Sequence, residues 1–122
     1  MSYTALVLDE NSRNTLIERF KNNIPQDWEI IAHHMTINMG PASNGPASNM
    51  VENQAPLTVT SFAQDNLVMA VGVSSPIPSK NTIKHITLAV NRKDGGKPFL
   101  SNKLNQWSPV SPFTLKGTIK EL

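Results

Sequence analysis

The chain contains no cysteine, which excludes disulfide bridges, thiolate metal sites and cysteine nucleophiles. Aromatic residues make up only 6% and charged residues only 16% of its 122 residues. No apolar run approaches the ~18 residues of a membrane-spanning helix, and the first residues lack the basic leader of a signal peptide. We therefore expect a soluble protein without membrane association, located in the cytoplasm, or in a host cell's cytoplasm if it is viral.

The composition suffices for one folded domain. Hydrophobic residues account for 39% of the chain, enough for one core, so we expect residues 1–122 to form a single domain. The net charge of +2 hides an asymmetry, because residues 1–74 carry three basic and seven acidic side chains and residues 75–122 carry eight and two. A basic second half favours an anionic partner such as a nucleotide or RNA, although solvated lysines explain it equally well.

The residue pattern predicts an α+β fold with mostly antiparallel strands. The β-branched and apolar residues of 3–8 predict a strand, and the helix that follows should be capped by Asn11 or Ser12 and stopped by Pro25. Residues 28–39 lack glycine and proline, which predicts one long central strand. Further along, the pattern predicts a hairpin over 57–62 and 67–73, a strand over 83–90, a short helix over 99–107 and a closing strand over 113–122.

Residues 40–49 repeat one pentapeptide, Gly-Pro-Ala-Ser-Asn, twice in succession. Its glycine and proline content argues against regular structure and predicts a flexible surface loop. Two interpretations remain open. The segment is either a tolerated duplication or a lid over a neighbouring site, since it directly follows the strand that carries His34.

Two of the three histidines begin the same four-residue pattern, His34-Met35-Thr36-Ile37 and His85-Ile86-Thr87-Leu88. Each pattern lies in a predicted strand, where residues i and i+2 share a face. Each strand therefore presents one imidazole and one hydroxyl on one face and two apolar side chains on the other.

Paired imidazoles and hydroxyls suit displacement at phosphorus. One of His34 and His85 can deprotonate water while the other protonates the leaving oxygen, and Thr36 and Thr87 can donate hydrogen bonds to the phosphate. This chemistry needs no metal or other cofactor. A metal site is disfavoured because His33, adjacent on the strand, should point away from His34. The duplicated pattern also argues against a purely structural role for the two motif histidines.

The paired motifs, about half a chain apart, resemble those of the 2H phosphoesterase superfamily. The resemblance implies a two-lobed fold in which antiparallel sheets, with helices outside, place the motifs across a central cleft. It also implies that His34 and His85 are the acid/base pair and that Thr36 and Thr87 bind phosphate. Residues 114–119 are similar to the family's final strand.

The resemblance implies a hydrolase, a metal-independent phosphodiesterase that acts on a cyclic phosphate or on a cyclic or 2′,5′-linked oligonucleotide. RNA-end processing and degradation of cyclic-nucleotide immune signals both remain open, as do the oligomeric state and which histidine is the base. A non-catalytic nucleotide- or RNA-binding module on the same fold is the alternative. A third possibility is an interaction domain whose lysine-rich half contacts nucleic acid.

Substrate-binding residues outside the motifs are predicted from their chemistry. Aromatic side chains can stack on a base, which makes Tyr3, Trp107 and Phe113 candidates. Lys80, on the predicted loop before the second motif, is the candidate cation for the phosphate.

Overall fold

A computed structural model describes residues 2–122, which form seven strands, one α-helix and three short 3₁₀ helices. The strands are β1 (Tyr3–Leu8), β2 (Glu29–Ile30), β3 (His34–Met39), β4 (Gln54–Gln64), β5 (Val68–Ser74), β6 (His85–Val90) and β7 (Ser108–Glu121). The α-helix, α1, spans Glu10–Phe20, and the 3₁₀ helices span Ala42–Asn44, Arg92–Asp94 and Pro98–Lys103. Within residues 2–122, no helix combines the length and apolar character needed to cross a bilayer.

Six of the strands close into a barrel. They are hydrogen-bonded in the order β6-β3-β1-β7-β4-β5, and β5 pairs again with β6. Every neighbouring pair is antiparallel, while the short β2 lies beside β6. The predicted α+β class with mostly antiparallel strands is therefore confirmed.

The interior of the barrel is the hydrophobic core. All six strands contribute fully or almost fully buried side chains to one cluster, including Leu6, Met35, Leu57, Val71, Ile86 and Ile119. Because side chains alternate along a strand, the neighbours of Met35 and Ile86 face away from this core. The motif histidines and threonines are therefore on the outer face of the barrel.

The helix α1 packs on the core through Leu16 and Phe20. The prediction that Asn11 or Ser12 caps this helix is wrong, because Asp9 is the N-cap and its carboxylate accepts the Ser12 backbone N–H at 2.7 Å. This hydrogen bond stabilises the charged carboxylate and lowers the pKa of Asp9. The helix ends at Phe20, before Pro25.

The predicted single strand over 28–39 is broken. Ala32 is fully buried and has φ 43, in the left-handed region. Ile30 lies opposite Ala89 of β6, and Met35 lies opposite Ile86. Five positions along this segment therefore match three positions along β6, so the segment holds two extra residues between the two pairs. The result is an irregular bulge that carries His33 and the start of the first motif, and regular alternation is lost there.

The tandem pentapeptide lies against the barrel. Ala42 and Ala47, which occupy the same position in the two repeats, are both buried. The side-chain amide of Asn38 donates to the carbonyls of Met39 and Pro41 at 3.1 and 3.3 Å, which anchors the first repeat. The expectation of no regular structure is wrong for Ala42–Asn44, which is a 3₁₀ helix; the flexibility of the loop stays a prediction.

The second half of the chain follows the predicted order with different boundaries. β4 and β5 form the predicted hairpin, but β4 extends beyond 57–62 at both ends and β5 is shifted by one residue from 67–73. β6 starts at His85 rather than at residue 83. The predicted helix over 99–107 is instead a 3₁₀ helix over Pro98–Lys103. It lies outside the barrel, against β5 and β6.

The strain at Ala32 generates a prediction about stability. In Ala32→Val, a β-branched side chain must adopt the left-handed conformation in a fully packed site, which we expect to cost about 1–3 kcal/mol of unfolding free energy. Ala32→Gly is the control, because glycine adopts this conformation readily and only one methyl group is lost. Urea unfolding measures both. A valine variant as stable as the unmodified chain would contradict this account of the bulge.

Candidate functional site

Both histidine motifs line one cavity on the outer face of the barrel. His34 and Thr36 from β3 and His85 and Thr87 from β6 border its volume of about 370 Å³. β3 and β6 are adjacent strands, paired through Met35 and Ile86. The fold thus brings together all four residues that the sequence predicts as catalytic.

Two of the predicted substrate-binding residues line the same cavity. The ring centroid of Tyr3 lies 5.2 Å from that of His34, with the planes tilted by 41°. Lys80 lines the cavity from the loop before β6, and its backbone N–H donates to the carbonyl of Ile37 at 2.7 Å. In the same loop, the Ser79 hydroxyl donates to the carbonyl of Thr36 at 2.7 Å. These bonds fix the lysine-bearing loop to the first motif.

The other two predicted aromatic residues lie outside this cavity. Trp107 borders an adjacent depression, and its ring centroid is 6.4 Å from that of His85. Phe113 lies on another part of the molecule, where it packs near Phe20 and beneath the guanidinium of Arg19 at 4.3 Å. The suggestion that Phe113 stacks on a base is therefore wrong.

His85 is held in one orientation. The side chain is only 8% exposed, and its Nδ1 lies 2.7 Å from the carbonyl oxygen of Ile83. A carbonyl oxygen can only accept, so Nδ1 carries the proton in this bond. Nε2 is then the ring nitrogen that can exchange a proton with a ligand.

His34 contacts the histidine that precedes it. The two Nδ1 atoms of His33 and His34 are 2.8 Å apart, so one must donate and the other accept. The expectation that these side chains point to opposite faces is wrong, because the bulge after Ala32 removes the alternation. Burial above all, with repulsion from His33 and from His85, lowers the pKa of His34 to about 4. His34 is therefore neutral at pH 7 and able to accept a proton.

The two motif hydroxyls are not equivalent. The Thr87 hydroxyl oxygen lies 2.8 Å from that of Ser101 and 3.3 Å from the Pro98 carbonyl, which it can donate to. Thr87 therefore ties the 3₁₀ helix Pro98–Lys103 to the motif strand. Within residues 2–122, the Thr36 hydroxyl has no hydrogen-bond partner. It is the motif hydroxyl that can donate to a ligand without breaking an existing bond.

The lining of the cavity suits an anion with an apolar group attached. Of the residues within 2–122 that border it, none is acidic, and Lys80 supplies a cation. Met39 and Phe99, also in the lining, are 67% and 57% exposed. An anionic group can thus bind beside the histidines while an apolar or aromatic group covers the apolar rim.

Sequence reasoning missed Phe99 and Ser101. Phe99 falls in the segment predicted as a short helix, but it is exposed on the 3₁₀ helix Pro98–Lys103 and lines the cavity. No local signal marks this difference, because Gly95-Gly96 indicate a turn and proline is common at the first position of a helix. Ser101 is 1% exposed and bonds to Thr87 across 14 positions of the chain, a contact that local patterns do not reveal.

Within residues 2–122, no three histidine, aspartate or glutamate side chains come together as a metal site. In comparisons with known proteins, no family model, curated protein or solved structure matches the chain.

The lowered pKa of His34 predicts a pH-dependent stability. Between pH ~6.5 and about 4 the unfolded chain binds a proton at His34 that the folded chain does not, so unfolding free energy falls as pH falls through this window. The loss is at most about 1.4 kcal/mol per pKa unit and smaller where solvent reaches the ring.

Urea unfolding of the unmodified chain and of His34→Gln at several pH values measures this effect. We expect the unmodified chain to lose unfolding free energy relative to His34→Gln as pH falls from 7 to 4. Lys93→Gln is the control, because Lys93 is exposed and lies outside the cavity; its difference from the unmodified chain should not change with pH over this window. A pH-independent difference for His34→Gln would contradict the pKa of about 4.

Proposed function

We propose that this chain is a metal-independent phosphodiesterase in which His34 and His85 are the acid/base pair. One observation carries the proposal. The two His-x-Thr-x motifs, whose histidines are 51 positions apart, line a single cavity. Since each motif supplies an imidazole and a hydroxyl, their convergence provides the groups that hydrolysis at phosphorus requires.

The surroundings of the two histidines support different roles. His34, neutral at pH 7, is the proposed base that takes a proton from water. His85, whose Nδ1–H is held by the Ile83 carbonyl, is the proposed acid that delivers a proton from Nε2. A bound phosphate is negatively charged and raises the pKa of His34 towards the neutral range, where a general base is most effective.

Phosphate binding is assigned to the remaining polar residues of the cavity. Thr36 donates its unpartnered hydroxyl to a non-bridging oxygen, and Lys80 provides the opposing charge. Tyr3, beside His34, and Phe99, on the rim, are the proposed contacts of the base. Thr87 takes part through Ser101, by holding the segment that bears Phe99.

The assignment of this chain to the 2H phosphoesterase superfamily is part of this proposal. It is supported by the motifs and by the adjacency of their strands. β3 pairs with β1 in the first half of the chain, β6 pairs with β5 in the second, and the motif strands meet where the halves join. In this view the two lobes of the family correspond to the two halves of one closed barrel.

The proposed substrates are nucleotides or RNA with a cyclic phosphate, or cyclic or 2′,5′-linked oligonucleotides. RNA-end processing and degradation of cyclic-nucleotide immune signals, both in the cytoplasm, are the processes that this activity serves. A second candidate is a nucleotide-binding module without turnover. The bonded Thr87 hydroxyl favours it, because one of the two motif groups that could stabilise the transition state is already paired with Ser101 and Pro98.

Turnover and its dependence on both histidines test the proposal. We expect the purified chain, with excess chelator, to cleave at least one of a 2′,3′-cyclic-phosphate RNA, a 2′,5′-oligoadenylate and a cyclic di- or trinucleotide, with products identified by mass. His34→Ala and His85→Ala should each lower kcat ~10²- to 10⁴-fold, because each removes the acid or the base.

Lys93→Ala is the control, since Lys93 is exposed and does not line the cavity, and it should lose far less activity. Cleavage that survives in the double variant His34→Ala/His85→Ala would overturn the proposed mechanism. Nucleotide binding without turnover of any substrate would establish the binding module instead.

A further inference from the structure

A second depression adjoins the cavity of the motifs. Its volume is about 520 Å³, and Trp107 borders it. The two spaces share four lining residues, Lys80, Asn81, His85 and Asn102. His85 therefore belongs to the boundary between the spaces, whereas His34 lines only the first.

The residues that the two spaces share are polar, and the residues that line only one of the spaces include apolar side chains. Lys80, His85 and the two asparagine amides offer a cation and hydrogen-bond donors, which suits a phosphate. The first space adds Phe99 and the second adds Trp107, so each has an aromatic side chain of its own. Within residues 2–122 neither lining contains an acidic residue, and the second also contains Lys103.

Trp107 is fixed in place as a wall of the second space. Its indole N–H donates to the carbonyl of Leu104 at 3.2 Å. Its ring packs against a cluster of buried apolar residues that includes Ala63, Ala70 and Val90. An aromatic ring held in this way is a platform for a base, since stacking does not depend on base identity.

We infer that the substrate is a phosphodiester that joins two nucleosides, with its phosphate at the shared boundary and one nucleoside in each space. The inference rests on the proposed function and narrows its substrate class. A terminal 2′,3′-cyclic phosphate places a nucleoside on one side of the phosphorus only and leaves the second space empty. An internal linkage, in a linear or cyclic oligonucleotide, fills both.

The placement of the histidines assigns a direction to the reaction. His34, on the side of the first space, takes a proton from water, and the water oxygen bonds to phosphorus. The bond from phosphorus to the oxygen of the nucleoside in the second space breaks, and His85 donates a proton to that oxygen. The products are a phosphate monoester and a free hydroxyl, and proton exchange with solvent restores both histidines.

Substrates with one and two nucleosides test the inference. We expect kcat/KM for adenylyl-(2′→5′)-adenosine or adenylyl-(3′→5′)-adenosine to exceed that for 2′,3′-cyclic AMP roughly tenfold or more. Lys103→Ala and Trp107→Leu should lower kcat/KM for the preferred dinucleoside roughly tenfold more than for the cyclic mononucleotide. Lys103 is exposed, so its variant keeps the test valid if the tryptophan variant fails to fold.

Lys93→Ala is the matched control, because Lys93 is exposed and lies outside both linings; it should change neither rate. If 2′,3′-cyclic AMP is the better substrate, or the two variants affect both substrate classes equally, the inference is wrong and the proposed function stands. If no substrate is hydrolysed, or hydrolysis persists in His34→Ala/His85→Ala, the proposed function fails and the inference falls with it.

Discussion

The pairing of β3 with β6 is the contact on which the candidate site depends. Met35 and Ile86 are opposite each other in this pair, and both are fully buried in the barrel core. Their burial forces the neighbouring residues of both strands to the outer face, where the two motifs border one cavity. The same apolar contacts that stabilise the barrel therefore set the relative position of His34 and His85, and both histidines stand on strands rather than on loops.

The two motifs are similar in sequence but differ in their surroundings. A backbone carbonyl holds His85, whereas His34 contacts His33 and has a pKa lowered to about 4, first by burial. Thr36 is available to a ligand and Thr87 is bound to Ser101. This asymmetry gives the proposed base and the proposed acid separate environments, which is how enzymes divide the two roles between like residues.

Much of the site could be predicted from the sequence because the signal is local. A histidine and a threonine two positions apart share a face on any strand, and the repeated tetrapeptide indicated that two strands supply the same groups. The break at Ala32 was not predictable, since alanine has no preference for the left-handed conformation and only the simultaneous pairing of this segment with β1 and β6 requires it. The pairing of β5 with β6 that closes the barrel and the contact between Thr87 and Ser101 were not predictable either, because both join residues that are distant in the sequence.

The central claim is that both histidines belong to one anion site, and the ring-proton NMR signals of the histidines across pH 3–9 test it most directly. The titration is recorded without and with saturating adenosine 3′-monophosphate. The account predicts a pKa of about 4 for His34 in the unliganded protein, a rise in this pKa on binding because the phosphate is negatively charged, and a shift of the His85 signals at the same ligand concentrations. A His34 pKa near 6.5 without ligand, or ligand binding that leaves both histidines unaffected, would contradict it.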